Sequence, residues 1–284
     1  TTLKLITNNY EDICMLLVAG CSFAWGDELV GSRNNPPTHQ DLVFGSILSK
    51  KLDLEYTNIA ACGNCNYKIF RDVMSNLHLN PSHIFVLWSD PLRKEQLLDI
   101  PNHDRNKLKV ATSLSMTQWH ENRFDDLLLS MSRDVAYEWS RHYTFNELPS
   151  FEKKETAISA YGTGLLTGFT HLLPQMIALQ HMCDGMGIKI TQGIFHQEIR
   201  QEVFRYIKKI RMSRFNSSNQ LKAWTKWAED SLDSLRPECK LGLVEGDTCL
   251  KTVMEGRPMK KYGHPDEQAH TDYADYLYPI VKKL

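Results

Sequence analysis

Two runs of the chain, Met15-Leu-Leu-Val-Ala-Gly20 and His83-Ile-Phe-Val-Leu-Trp-Ser89, are apolar through their centres with no alternation. A strand with one wet face alternates apolar and polar residues. Runs without alternation read as strands buried on both faces, the habit of parallel sheets covered by helices on each side. Between them, Asp41 to Leu52 places Leu42, Val43, Ile47 and Leu48 at helical spacing, Tyr56 to Ala60 suits another strand, and Asn66 to Leu77 another helix. Strand, helix, strand, helix, strand at this spacing predicts right-handed parallel crossovers. Further on, Ala160 to Gly185 reads as a long apolar helix in which Pro174 marks a kink or a start, and Ile188 to Phe195 as a fourth strand. Amphipathic stretches follow at Gln197–Met212 and Ser218–Leu235, and a last helix at Asp266–Lys283 carries Ala269, Tyr273, Tyr276, Leu277 and Ile280 on one face. The expected architecture is α/β: a three-layer α/β/α sandwich around a central parallel sheet of about four or five strands.

The rhythm breaks after the third strand. Residues 97–160 are polar, rich in Trp, His and Arg, and read as a helical or irregular insertion within a single domain spanning 1–284. Its Trp119, His120, Trp139 and His142 suit either a substrate lid or partly buried filler. With 33 basic against 34 acidic side chains the net charge is −1, which argues against binding nucleic acid by bulk charge. No apolar run approaches the roughly 18–20 residues of a membrane span. Seven cysteines, an odd number on a long chain, do not make a disulfide scaffold and suit a reducing compartment, with the cytoplasm as the default.

Ligands in an open parallel sheet collect at the carboxyl ends of the strands. The first strand ends there in Gly20-Cys21-Ser22-Phe23-Ala24-Trp25-Gly26-Asp27, the second in Asn58-Ile-Ala-Ala-Cys-Gly63-Asn-Cys-Asn66, and the third in Trp88-Ser89-Asp90. Gly263-His264-Pro265 precedes the final helix. A serine just beyond a buried strand can expose its hydroxyl beside converging backbone N–H groups, and a glycine in the neighbouring turn lets a further N–H approach a ligand. In chain order these are candidates for a nucleophile, an oxyanion donor and a general base.

This arrangement resembles the SGNH (GDSL-like) serine hydrolase superfamily, whose architecture is flavodoxin-like. Gly20-Cys21-Ser22 is similar to the first family block, Asn58, Ala60 and Gly63 to the second, and His264-Pro265 to the last. The resemblance implies Ser22 as nucleophile, His264 as base, and an oxyanion hole from the N–H groups of Ser22 and Gly63, helped by Ser89 or Asn66. There are two departures. Ser89 stands where the family places an asparagine, and Lys261 stands three residues before the histidine, where the family places its acid. Asp247, Asp266 and Glu267 are the nearest replacements in sequence for orienting His264. A Trp-Ser strand end followed by Arg93-Lys-Glu95 is similar to some virus-encoded relatives. The implied activity is ester hydrolysis or acyl transfer on a small or carbohydrate-linked ester, with no metal and no organic cofactor.

Plainer roles compete at each position. Ser22 suits a helix cap, Gly63 a turn, and His264 a surface turn ahead of a Pro-Asp helix start. His270 suits a helix surface, Arg93 with Glu95 an ion pair, and Trp224 with Trp227 packing. Two other classes of function stay open: a hydrolase fold that has lost chemistry and only binds, and a thiol-redox protein. The second rests on Cys62-Gly-Asn-Cys65 at a strand-to-helix junction, where a helix N-terminus favours a thiolate. A metal reading of these cysteines lacks a second C-x-x-C, and Glu267-Gln-Ala-His270 lacks the second copy a di-metal site requires.

Overall fold

The computed structural model describes residues 14–27, 29, 40–62, 64–89, 95–98, 109–112, 165–194, 219–243, 253 and 264–284. Four parallel strands form the central sheet: β1 (Met15–Gly20), β2 (Glu55–Asn58), β3 (His83–Trp88) and, late in the chain, β6 (Lys189–Ile194), in the order β2-β1-β3-β6. The short helix α1 (Ser22–Trp25) and then α2 (Phe44–Leu52) link β1 to β2, and α3 (Asn66–Asn76) links β2 to β3. Helix α4 (Leu165–Met186) leads into β6, and α5 (Asn219–Ser234) and α6 (Glu267–Lys282) follow it. From β1 the chain moves one way along the sheet to β2, then back across β1 to β3. A constant crossover hand therefore puts α2 and α3 on opposite faces.

The burial pattern obeys that rule. Leu16, Val18, Phe85 and Leu87 pack with Phe44 and Leu48 of α2 and with Tyr273, Leu277 and Val281 of α6. The alternate residues Leu17, Ala19, Ile84 and Val86 pack on the other face with Ile69 and Val73 of α3, Leu173 and Met176 of α4, and Ala228 of α5. Every residue of β1 and β3 is buried, so the missing alternation in the sequence reports two covered faces. Each fully buried Leu, Ile or Phe contributes about 1.5–3 kcal/mol. Two of the buried polar groups in this layer pair with each other and with main chain: Trp88 Nε1 donates to Gln192 Oε1 (3.0 Å), and Gln192 Nε2 donates to the Met176 carbonyl (2.9 Å). At the outer edge of β6, Leu241 adds a parallel bridge opposite Gly193, so among the described residues a fifth position is touched by one bridge.

Several expectations shift. The second helix starts at Phe44 rather than Asp41, because 40–42 form a tighter turn. The second strand ends at Asn58, since the Asn58 side chain turns back to accept from Ala60 N. Where helical or irregular structure is expected after β3, β4 (Glu95–Leu98) and β5 (Lys109–Thr112) pair antiparallel. The rest of the insertion, with Trp119, His120, Trp139 and His142, lies outside the described residues, as do Gln197–Met212 and Arg93. His270 is fully buried rather than on a helix surface. Its Nδ1 accepts from Phe44 N (3.2 Å), one of the N–H groups that α2 leaves unpaired at its start, and its ring stacks on Phe44. Among the described residues no helix is long and apolar enough to cross a membrane.

Candidate active site

The strand order reverses direction between β1 and β3, so the crevice at their carboxyl ends is where this topology places a ligand. Ser22 follows β1 and Ser89 follows β3, one on each side of that crevice. At Gly20 the chain turns sharply into α1. A Cβ there would lie 2.6 Å from Ala24 Cβ and 2.9 Å from the Leu87 carbonyl oxygen, so only glycine lets the helix fold back against both strands. Ser22 opens α1, with Cys21 at the cap position, and is buried. Gly26, in the left-handed region at φ 81°, ends the helix after four residues. The Ser22 carbonyl then accepts from both Gly26 N and Asp27 N, each at 3.0 Å, which returns position 27 to the start of the helix.

The loop after β2 is tied to this turn at two points. Asn58 Nδ2 donates to the Ala24 carbonyl (3.0 Å) and to Gln40 Oε1 (3.0 Å), and Gln40 Nε2 donates to the Trp25 carbonyl (3.3 Å). On the other side the Gly20 carbonyl accepts from Asn64 Nδ2 (3.1 Å) and from Ala61 N (3.3 Å). Gly63 itself, and Asp247 and Lys261, lie outside the described residues.

Asn66 and Ser89 are brought together. Asn66 Oδ1 accepts from Ser89 N (2.8 Å), and Asn66 Nδ2 donates to the Ser89 carbonyl (3.2 Å), both bonds buried. The amide therefore clamps the main chain of Ser89 across the rim, and its oxygen and one of its two N–H groups are engaged. Ser89 is itself buried.

His264 comes from the far end of the chain and lands on the Ser22 turn. Its ring lies against that of Phe23, centroids 4.9 Å apart, and its Nε2 is 3.7 Å from Asp27 Oδ2. Asp27 and His264 are 6 % and 7 % exposed. The position follows from α6, whose first turn is pinned beside the start of α2 by the His270–Phe44 bond. Asp266 is occupied otherwise: its Oδ1 accepts from Ala269 N (2.8 Å) as the cap of α6. The carboxylate contact of the imidazole seen among the described residues is with Asp27. Reasoning by spacing missed it, because local counting from the histidine never reaches residue 27. The available signal was Gly26, which marks a helix too short to carry Asp27 away from Ser22.

The two thiols of the C-x-x-C are unbridged, and α3 begins after the second, with Cys65 at its cap position. The N-terminal field of the helix thus falls on the buried Cys65 rather than on Cys62. Among the described residues no group of three or more His, Cys, Asp or Glu side chains is arranged to hold a metal ion.

No protein-family model and no curated protein sequence matches the chain. Among solved structures it is similar to a lipolytic protein of the G-D-S-L family from Desulfitobacterium hafniense, at 9 % identity over 94 % of this chain and 99 % of that one, with a TM-score of 0.40. It is also similar to the esterase EstA from Pseudoalteromonas, at 10 % identity, 95 % and 97 % coverage and a TM-score of 0.39. A carbohydrate esterase matches at 9 % identity, 95 % and 69 % coverage and a TM-score of 0.39. Superpositions this loose carry no argument about chemistry, and the site stands on its own geometry.

Proposed function

We propose that the chain is a serine ester hydrolase of the SGNH type, acting through an acyl-serine intermediate on a small or carbohydrate-linked ester. The observation that carries the reading is the contact of His264 with the Ser22 turn. A buried imidazole from the end of the chain packs on Phe23 and faces Asp27, five residues beyond the hydroxyl. In this reading Ser22 Oγ attacks the ester carbonyl, His264 takes its proton, and the same proton then goes to the leaving alcohol. Water repeats the sequence on the acyl-serine. The N–H groups of Ser22 and Gly63 and the Ser89 hydroxyl serve the developing oxyanion, a type of donor worth ~10²–10³ in rate each. The doubled bond of Asn66 to Ser89 favours a second reading, a site that binds esters without turning them over, since that amide is held by the main chain.

The experiment is labelling with a fluorophosphonate, together with turnover of a panel of short-chain aryl esters. Stoichiometric modification of Ser22, lost in Ser22→Ala along with turnover, is the expected result. Turnover that survives Ser22→Ala overturns the proposal. Ester binding with neither labelling nor turnover selects the binding reading.

A further inference from the structure

We infer that Asn64 is a positioning residue for the turn that carries Ser22, acting through the Gly20 carbonyl. The inference rests on the serine hydrolase reading for its effect on rate, and on geometry alone for its effect on the turn. Asn64 is 1 % exposed and lies in the loop between β2 and α3. Its Nδ2 donates to the Gly20 carbonyl (3.1 Å), and Asp72 Oδ2 stands 3.5 Å from the same nitrogen. An amide turned end for end would set its oxygen against that carbonyl and that carboxylate, so the two acceptors fix its orientation. Asp72 is held in turn. Lys68 Nζ pairs with its Oδ2 at 2.6 Å, and Asn76 Nδ2 donates to its carbonyl (2.7 Å). The second turn of α3 thus reaches the end of β1 through one side chain.

The bond falls where it governs the entry into α1. A peptide unit is planar, so holding the Gly20 oxygen also sets the direction of Cys21 N–H. Cys21 occupies the cap position, its carbonyl accepts from Trp25 N (2.9 Å), and Ser22 is the next residue. Ala61 N donates to the same Gly20 carbonyl at 3.3 Å. The carbonyl is therefore paired even without Asn64, and the second donor restricts its direction.

The other end of the amide works against folding. Among the described residues Asn64 Oδ1 is buried with no donor. A buried acceptor left unmet is destabilising, and an apolar side chain of similar size avoids the penalty. Stability does not account for an asparagine here, whereas a donor aimed at the Gly20 carbonyl does.

The test is Asn64→Leu in the full chain, which removes the donor and the unmet acceptor together, while Gly20 keeps Ala61 N and Asp72 keeps Lys68. Amide hydrogen exchange by NMR reads the turn directly. The N–H groups of Trp25, Gly26 and Asp27, bonded to the Cys21 and Ser22 carbonyls, should exchange about tenfold faster than in wild type, with the urea midpoint unchanged or raised. With aryl esters, kcat should fall by ~10–10²-fold and KM stay within about threefold, because a displaced hydroxyl loses rate rather than affinity. Asn64→Asp, which keeps the shape and lacks the donor, should show the same fall and serves if leucine disturbs the loop. Unchanged exchange in the turn overturns the inference, whether or not the protein turns over esters. So does a kcat within about twofold of wild type in the folded variants, or a loss of rate that tracks a loss of stability. Faster exchange in a protein whose wild type resists fluorophosphonate keeps the positioning role and removes the hydrolase reading.

Discussion

His83 provides a test of the fold that is independent of the site. It opens β3 beside Lys189 of β6, and its Nε2 lies 3.0 Å from Thr191 Oγ1. Burial, with a smaller contribution from the Lys189 ammonium, pushes its pKa down from 6.5 to about 3. A histidine whose folded pKa is lowered takes its proton first in the unfolded chain. Its contribution is therefore intact above pH 6.5 and is lost as the pH falls from there toward 3. Each pH unit in that window costs about 1.4 kcal/mol, so going from pH 7 to pH 5 removes about 2 kcal/mol. The figure is insensitive to the exact folded value, because a ring that titrates near 3 is still neutral at pH 5. With 11 histidines in the chain, the term is isolated by difference. Urea unfolding at the two pH values is compared for wild type and His83→Gln, whose amide can still meet Thr191. The variant should lose about 2 kcal/mol less than wild type on acidification. Equal losses in the two proteins would refute the claim that His83 is held neutral in the sheet.

Three further outcomes follow from the rim and the core. Asn66→Ala strips two bonds from the buried main chain of Ser89 and should destabilise the fold by about 2–6 kcal/mol, read from urea midpoints; a loss under 1 kcal/mol would mean the clamp is not made in solution. Gly20→Ala brings a methyl into contact with Ala24 and the Leu87 carbonyl. It should cost about 1–3 kcal/mol and slow fluorophosphonate labelling of Ser22, because the turn that must shift carries the hydroxyl. Burial pushes the Cys183 thiol up to about 12 and also raises Cys239, so in native protein at pH 8 iodoacetamide should modify exposed Cys14 and spare both; mass spectrometry of the digested chain checks this.

The fold was legible because its signal is local and repeated. β1 and β3 lack alternation since Leu16 and Leu17 meet different helices on opposite faces, and that burial is written directly into consecutive residues. Helix ends were legible less well. Asp41 has the composition of a helix start, but the donor that α2 offers first, Phe44 N, is satisfied by His270 from the other end of the chain, and no local rule carries that information. The paired strands β4 and β5 were hidden for a related reason: Glu95–Leu98 and Lys109–Thr112 are short and only partly apolar, and their pairing is with each other.

The site divides along the same line. Ser22 and Ser89 could be placed from sequence because a strand end is a local feature and the sheet topology fixes which ends converge. The acid could not. A side chain beside His264 in sequence, such as Asp266, serves the helix that follows it, since that helix must be capped wherever it begins. What faces the ring follows from how the last helix docks: α6 packs on α2, and that brings His264 onto the turn after β1. The same logic makes Gly26 as informative as any charged residue in the chain. Without a left-handed turn after Trp25 the helix would run on and carry Asp27 away from Ser22, and the imidazole would meet the turn without its carboxylate.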